Sequence, residues 1–314
     1  MNALTAPLAE LAEFQALKLK MKGNKGILQV SGCMESQKVH LMYSISKAVD
    51  HVFILAENDL KAKELFDDYR FYDPDVLLYP AKDLLFYQAD IHSNQLDRQR
   101  MQVLKAISEE KKTTVILSMG GVMDCIPSKK LLKSRIMTLG LDEELDLEEF
   151  KRQMVDMGYE RTAQVEMPGQ FSVRGGIIDI YPLTEELPVR IEMWDDEVDS
   201  IRRFEAESQR SLEELELLQI YPATDKLPDV NEQNLDTILS YSDREKTLFL
   251  LDEPNRLEES GLVLEKEFRE SMERRLLQEH LLVENEVKVE IRGFKQLQGW
   301  LNGCNCISFS AIEH

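Results

Sequence analysis

Short apolar runs alternate with helical patterns over the first 120 residues of the chain. Apolar runs of about four to six residues between polar turns are typical of buried strands, and apolar positions three or four residues apart predict helices. The predicted strands are 26–31, 52–56, 76–79 and 114–118. The helices between them run through Leu41 and Ala48, begin at Asn58 as N-cap, and cover 95–108. This alternation predicts an α/β fold built on a parallel sheet with both faces covered.

A different pattern begins after the Gly120–Gly121 pair. A strand is predicted at 136–139 and a helix from Asp146 to near Gly158. The β-rich segments that follow are 161–167, 171–181, 189–194 and 197–204. Because Pro, Gly or paired Asp residues bound these segments, hairpins are expected. We interpret the block as a separate small α+β domain, inserted into the first.

The last third of the chain returns to strands and helices. Residues 211–234, which include Pro222 and Pro228, are interpreted as a connector. A charged helix is predicted at 258–279, and strands at 247–251, 287–291 and 306–310. In the simplest topology these strands rejoin the first sheet. The predicted domains are 1–122 (first part of the sheet domain), 123–208 (inserted domain), 209–240 (connector) and 241–314 (return to the sheet).

Composition and charge narrow the classes of function. The chain has 314 residues, of which 43% are hydrophobic and 31% charged, so it can bury a sizeable core. A net charge of -20 disfavours non-specific DNA binding and favours a partner with a cationic surface, unless the charge serves only solubility. No apolar run suits a membrane span or a secretory leader, so a cytoplasmic protein without membrane contact is expected. The cysteines form no C-x-x-C pair and are expected to be reduced and structural.

A strand–loop–helix at 30–41 occupies the position of a phosphate loop. The working motif is G-x-x-x-x-G-K-[ST]. Gly32 and Lys38 fit it, but Gln37 replaces the second glycine and Val39 replaces the hydroxyl residue that holds Mg²⁺. Glu35 also brings a negative charge to a helix N-terminus where phosphate would bind. We therefore predict a degenerate phosphate loop that hydrolyses no ATP, with no catalytic residue and no cofactor.

A second fragment, L-F-L-L-D-E at 248–253, has the form of an apolar strand followed by acids. In a working ATPase the acid, here Asp252, would help to hold Mg²⁺. The alternative is an ordinary buried strand that ends in a polar turn. We favour the alternative, because Val39 has no oxygen with which to support a metal. The five histidines are scattered without metal-ligand spacing, so no metal site is expected.

The inserted block carries the most specific pattern in the chain. The sequence reads Y-E-R at 159–161, P-G-Q-F-S-V-R-G-G-I-I-D-I-Y-P at 168–182, and D-D-E-V-D-S-I-R at 195–202. These runs resemble the damage-recognition helicase UvrB and, more closely, the N-terminal region of transcription-repair coupling factors, the Mfd family. The degenerate phosphate loop and residues 79–107 also resemble that family, and the similarity is weakest over the last 70 or so residues.

The resemblance implies both an architecture and a function. The fold would be a degenerate, RecA-like helicase sheet domain with an inserted α+β domain and a connector, as in UvrB domains 1a, 2 and 1b. The chain would be a non-catalytic adapter that recruits UvrA to stalled RNA polymerase for nucleotide excision repair. RNA polymerase and DNA would be bound only by C-terminal domains that this sequence lacks, so we expect a truncated chain, or else a naturally short one. The alternatives are an active UvrB-like ATPase and a DNA-binding module.

By motif position, the resemblance assigns Arg161, Phe171, Arg174 and Tyr181 to the UvrA-binding surface. UvrB resembles F-R-V-R-G where this chain has Ser172 in place of one arginine, so one ion pair is in doubt. Arginine pairs bidentately with carboxylates, and arginine and aromatic residues are frequent interface hot spots. The alternative is that these arginines pair with acids of their own chain, such as Glu192 or Asp179.

Overall fold

The structure is a computed structural model that describes residues 6–21, 26–82, 94–225, 227, 230–278 and 291–311. These residues divide into two compact units. Unit 1 lies within 1–89, 106–125 and 236–314, and unit 2 lies within 90–105 and 126–235. The finer, four-part division stays a prediction. No helix in the described ranges combines the length and the apolar character needed to cross a membrane.

Unit 1 is built on a six-stranded parallel sheet, as the alternation of strands and helices predicts. The strands, in their order across the sheet, are β1 (Ile27–Ser31), β16 (Asn305–Ser310), β15 (Thr247–Asp252), β2 (His51–Ala56), β4 (Thr113–Ser118) and β3 (Leu77–Tyr79). All residues of β4 and β15 are buried, which is why the centre of each strand reads as an apolar run without alternating polar residues. The late strands β15 and β16 lie between β1 and β2, so the predicted return to the first sheet is confirmed.

Helices of unit 1 cover this sheet. They are α1 (Ala6–Ala9), α2 (Ala12–Met21), α3 (Glu35–Ser46), α4 (Asp59–Tyr69), α6 (Met119–Met123), α9 (Pro254–Gln278), α10 (Phe294–Leu301) and the 3-10 helix Ile238–Tyr241. Asn58 caps α4 as predicted, because its side chain accepts a hydrogen bond from the Lys61 amide at 2.9 Å. Helix α9 starts four residues before the prediction, at Pro254, a residue type that suits the first helical position. The predicted strand 287–291 lies outside the described residues except for Ile291.

Unit 2 contains a second six-stranded sheet. Its strands, in order across the sheet, are β12 (Ser211–Glu214), β11 (Glu197–Phe204), β10 (Val189–Trp194), β9 (Ile177–Ile180), β8 (Gln170–Arg174) and β7 (Glu160–Arg161). The pairs are antiparallel except β7 with β8. The remaining elements are α5 (Asn94–Ser108, which starts in this unit), β5 (Ile126–Pro127), α7 (Lys129–Ser134), β6 (Met137–Gly140), α8 (Leu147–Asp156), β13 (Leu217–Ile220), the 3-10 helix Glu232–Asn234 and β14 (Leu235–Asp236).

The segment 161–167 was predicted as β-rich, and this is wrong beyond Arg161. Side chains, rather than a neighbouring strand, bind the backbone there. The side-chain oxygen of Gln170 accepts hydrogen bonds from the amides of Glu166 and Met167 at 3.0 and 3.2 Å. The Ser172 hydroxyl donates to the Ala163 carbonyl at 3.0 Å. Such local side-chain bonds compete with regular secondary structure.

The interpretation of 211–234 as a simple connector is also incomplete. Strand β12 adds to the edge of the unit 2 sheet, and β13 pairs with β6. The alternating burial of Leu218 and Ile220 in β13 is the period-two pattern of a half-buried strand. The four-residue length of this pattern made it weak in the sequence.

Candidate functional site

The segment between β1 and α3 is too short to form the loop that wraps a phosphate in a working motif. Strand β1 ends at Ser31 and helix α3 begins at Glu35, so only three residues lie between them. Gly32 adopts a φ of +80°, and its amide donates to the Ser310 carbonyl at 3.0 Å. In a working loop, backbone amides of this segment cradle the phosphates. Here the Gly32 amide is bound to the neighbouring strand instead.

The two substituted positions have different surroundings. Gln37 lies in the first turn of α3, and its side-chain oxygen accepts from the Met34 amide at 3.4 Å. Val39 is only 3% exposed and belongs to the hydrophobic core of unit 1. A core position gives Val39 a packing role and leaves nothing to hold Mg²⁺.

Lys38 is the residue of the motif that could still bind a phosphate, but its ammonium group pairs with carboxylates of its own chain. The side chain is 0% exposed, and Nζ lies 2.6 Å from Asp252 Oδ1, 3.1 Å from Glu253 Oε1 and 3.5 Å from Glu35 Oε1. Burial lowers the pKa of Lys38, but the hydrogen bond and the charge of Asp252, with Glu253 and Glu35, more than offset it. The pKa therefore lies above its ordinary value of 10.5, and the ammonium group stays protonated.

The parallel sheet explains why Lys38 and Asp252, which are 214 positions apart in the chain, are in contact. Strands β1 and β15 both end at the carboxyl edge of the sheet, where residues that follow parallel strands converge. Asp252 is the last residue of β15 and is 2% exposed. Glu253 also accepts a hydrogen bond from the Ala311 amide at 2.9 Å. The interpretation of this strand end as an ordinary polar turn missed its ion pairs with Lys38.

A cavity of about 420 Å³ adjoins this cluster. Among its lining residues are the acids Glu35, Glu57, Glu64, Asp252 and Glu253 and the cations Lys61 and Arg256. Lys61 is itself paired, 3.0 Å from Glu35 and 3.4 Å from Glu64. A wall with more carboxylates than cations disfavours a triphosphate that carries no metal ion.

In unit 2, the predicted arginines lie on adjacent strands. Arg161 ends β7 and is exposed, and it makes no ion pair with any described residue. Its register partner on β8 is Phe171, and Arg174 lies three residues further along β8. Arg174 is 49% exposed, and its Nη2 donates to Asp179 Oδ2 at 2.7 Å. The alternative reading, in which an arginine pairs with Asp179, therefore holds for Arg174.

Asp179 joins two arginines. It is 1% exposed, and besides Arg174 it accepts from Arg190 Nε at 2.6 Å and from Arg190 Nη2 at 2.9 Å. Arg190 also donates to the Gln209 side chain and lies 4.6 Å above the Phe204 ring. The hydrogen bond to Asp179 raises the pKa of Arg190 above its ordinary value. Sequence reasoning considered Asp179 as a partner but missed Arg190.

The two aromatic residues assigned to the surface have more limited exposure. Phe171 is 0% exposed, and its ring meets that of Phe150 edge-on at 6.3 Å between centroids. Direct contact between Phe171 and a partner is therefore corrected to a supporting role in the core. Tyr181 is partly buried, and its hydroxyl donates to the Glu186 carbonyl at 2.8 Å. Ser172, where UvrB has an arginine, is 1% exposed.

Comparison with known proteins identifies the inserted block. Residues 137–225 match the family model described as the UvrB interaction domain, so the chain contains a domain of this family. These residues include Arg161, Phe171, Arg174 and Tyr181.

Over 55% to 72% of its length, the chain is similar to transcription-repair-coupling factors. It is 37% identical over 174 residues to that of Bacillus subtilis (strain 168), an alignment that covers 55% of this chain and 15% of the relative. It is 36% identical over 228 residues to that of Staphylococcus aureus (strain bovine RF122 / ET3-1), which covers 72% of this chain and 19% of the relative. The resemblance to coupling factors is thereby confirmed, and the chain spans less than a fifth of the length of these relatives.

Proposed function

We propose that this chain is a non-catalytic adapter that binds UvrA through its UvrB interaction domain. In this proposal the sheet unit is a scaffold related to UvrB domain 1a, made from 1–122 and 241–314. Residues 123–208 are the UvrA-binding domain, as in UvrB domain 2, and 209–240 are the connector, as in domain 1b. Within a longer coupling factor, the adapter would bring UvrA to stalled RNA polymerase, while polymerase and DNA are bound elsewhere.

The observation that carries the proposal is the contrast between the two units. In unit 1, the one remaining cation of the phosphate loop is buried against carboxylates of its own chain. In unit 2, Arg161 is exposed and Arg174 is half-exposed within the matched domain. Exposed arginines favour a local contact with carboxylates of a partner, although the chain as a whole carries a net charge of -20.

Titration of UvrA with purified variants tests the proposal. We expect Arg161→Ala and Arg174→Ala each to weaken UvrA binding by about 1–3 kcal/mol, or about 5- to 150-fold, as truncated hot spots do. Arg152→Ala is the matched control, since Arg152 is a 70% exposed arginine of the same unit that pairs with Glu149 on its own helix. Circular dichroism must show that all three variants fold. Unchanged affinity in both test variants would remove these arginines from the binding surface.

An active UvrB-like ATPase is the second candidate class. Its only support is the pairing of a lysine at the phosphate-loop position with acids at the end of β15. Steady-state hydrolysis of Mg²⁺–ATP separates the two candidates. The adapter proposal predicts no turnover above a protein-free control, whereas saturable turnover by the wild-type chain would favour the ATPase.

A further inference from the structure

One face of the unit 2 sheet brings Arg174 beside apolar side chains. Paired residues on neighbouring strands share a face, as do alternate residues of one strand. Arg174 pairs with Ile177, and Ile177 pairs with Glu192. The pairing of β10 with β11 shifts register between Glu192 and Met193, but the Met193 amide donates to the Gly176 carbonyl at 2.8 Å, so β10 continues in register on its β9 side. Trp194, two residues beyond Glu192, is therefore a diagonal neighbour of Ile177 on that face. Asp179 and Arg190 are register partners on the same face.

Asp179 limits the freedom of the Arg174 side chain. An exposed arginine samples many rotamers, and ordering a long side chain at an interface costs about 0.5–1.5 kcal/mol. The bond to buried Asp179 at 2.7 Å fixes Nη2 of Arg174 before any partner arrives. The two hydrogen bonds that Arg190 donates to Asp179 hold the carboxylate of Asp179 in turn. Among the described residues, Nε and Nη1 of Arg174 have no acceptor, so they are available to a partner carboxylate.

The charges of this cluster do not cancel. Two arginines share one buried carboxylate, which leaves a local excess of one positive charge. The neighbouring Glu192 is already paired with Arg202. An approaching carboxylate would therefore meet a cation that the protein's own acids have not neutralised.

The apolar neighbours of this cation are exposed on a rigid element. Trp194 is 78% exposed and Ile177 is 37% exposed. The hairpin that carries Trp194 is fixed by hydrogen bonds from the amides of Asp142 and Leu145 to the carbonyls of Val198 and Asp196, at 2.9 and 2.8 Å. Within the described part of the chain, the Trp194 ring makes no ring-stacking or cation contact. An exposed tryptophan on a hydrogen-bonded hairpin, beside an arginine, has the composition of an interface hot spot.

We propose that Arg174, Ile177 and Trp194 form one composite docking patch, in which Asp179 is a positioning residue that presents the Arg174 fork. The patch fits a partner surface on which a carboxylate lies beside an apolar pocket. This inference rests on the proposed function, because it takes UvrA as the partner that carries this surface. It extends the site by two apolar residues and assigns a role to the buried Asp179–Arg190 pair.

A double-mutant cycle tests the positioning role. We expect Asp179→Asn to weaken UvrA binding at least about 5-fold, a loss equal to about 1 kcal/mol. In an Arg174→Ala background the same substitution should change affinity less than twofold, because the side chain that it positions is gone. A purely structural role for Asp179 would weaken binding in both backgrounds. Glu213→Gln is the matched control, since it breaks an exposed carboxylate–arginine pair with Arg203 on the same sheet but outside the patch, and it is not expected to change affinity.

The apolar half of the patch has its own test. Trp194→Ala should weaken UvrA binding at least about tenfold, and Trp194→Phe should retain most of the affinity, because an aromatic side chain still fills an apolar pocket. The Trp194 fluorescence in a Trp300→Phe background should shift to shorter wavelength when UvrA binds. No shift and full affinity of Trp194→Ala would overturn the apolar half of the patch.

Failure of the patch and failure of the adapter proposal give different results. If Asp179→Asn and Trp194→Ala bind UvrA like the wild type while Arg174→Ala binds weakly, the patch is wrong and the adapter proposal stands. If the wild-type chain itself does not bind UvrA, the adapter proposal fails first. Asp179→Glu, which keeps the charge, should restore part of the affinity lost in Asp179→Asn.

Discussion

The buried ion pair between Lys38 and Asp252 gives the sharpest test of the role of Lys38 at the degenerate phosphate loop. Replacement of Lys38 by Met keeps a long side chain but removes the cation that faces Asp252. Since the Asp252 side chain is 2% exposed, its carboxylate would be left unpaired in the interior. Removal of one partner of a buried ion pair costs about 3–5 kcal/mol. Glu253 is 21% exposed and can turn to solvent, so we expect Asp252 to account for most of the loss.

The double variant Lys38→Met/Asp252→Leu separates the pair from its parts. Replacement of a buried ion pair by apolar side chains of similar volume is often close to neutral, so the double variant should recover most of the lost stability. Lys61→Met is the control. It removes a cation at the same cavity, but that cation is 23% exposed and its acid partners are more than half exposed. We expect the control to cost no more than about 1 kcal/mol.

Tryptophan fluorescence can follow unit 1 alone during urea unfolding. The chain has two tryptophans, and in a Trp194→Phe background the remaining Trp300 packs on Phe249 at 5.5 Å between ring centroids. Lys38→Met should lower the free energy of unfolding, and the double variant should restore it. A Lys38→Met midpoint equal to that of Lys61→Met would refute a buried ion pair at this position.

Two further predictions concern unit 2. Glu185 is partly buried, which raises its pKa, but hydrogen bonds from Lys105 and Arg203 lower the pKa by more, so it lies below its ordinary value of 4.5. A carboxyl whose pKa is lowered by folding stabilises the fold above its unfolded pKa and loses that contribution as pH falls. Glu185→Gln should therefore reduce stability at pH 7 and weaken the dependence of the urea midpoint on pH below about pH 4.5. An unchanged pH dependence would contradict the ion pairs. Gly158 has a φ of +86°, and an added Cβ would lie 2.5 Å from Thr224 Cγ2, whereas Gly175, at +60°, has open space around it. Gly158→Ala should therefore cost more than Gly175→Ala, which carries only the left-handed strain of about 1–2 kcal/mol; equal thermal shifts would refute the steric argument.

Much of the sheet in unit 1 could be predicted because its strands are buried on both faces. Residues 114–118 and 247–251 read as apolar runs since β4 and β15 have no solvent-facing residue. The segment 162–167 could not be predicted in this way, because its backbone is bound by the side chains of Gln170 and Ser172, which follow it in the chain. Hydrogen bonds of this kind leave no period in the sequence.

The candidate sites were only partly predictable for similar reasons. The loss of the second glycine and of the hydroxyl at position 39 could be read directly, but the pairing of Lys38 with Asp252 depends on strand order. Phe171 matched a motif position, yet motif position does not tell whether a side chain faces the core or the solvent. The paired strands β8 and β9 supply that information, since the face of Phe171 and Ile180 is buried.

The two units differ in how their cations are used. Unit 1 keeps the parallel sheet, but Lys38 at its phosphate-loop position is paired with carboxylates of the same chain. Unit 2 displays cations and apolar side chains on a mainly antiparallel sheet. In unit 1, Lys38 donates hydrogen bonds to Asp252 and Glu253, so these charged groups are paired within the chain.

Calorimetric titration with Mg²⁺–ATP tests this central claim most directly. With Lys38 bound to its own carboxylates and no wrapped loop, we predict no saturable heat up to about 1 mM nucleotide, which corresponds to binding weaker than about -4 kcal/mol. Saturable binding that Lys38→Met abolishes would contradict the account, since the lysine would then serve a phosphate rather than Asp252.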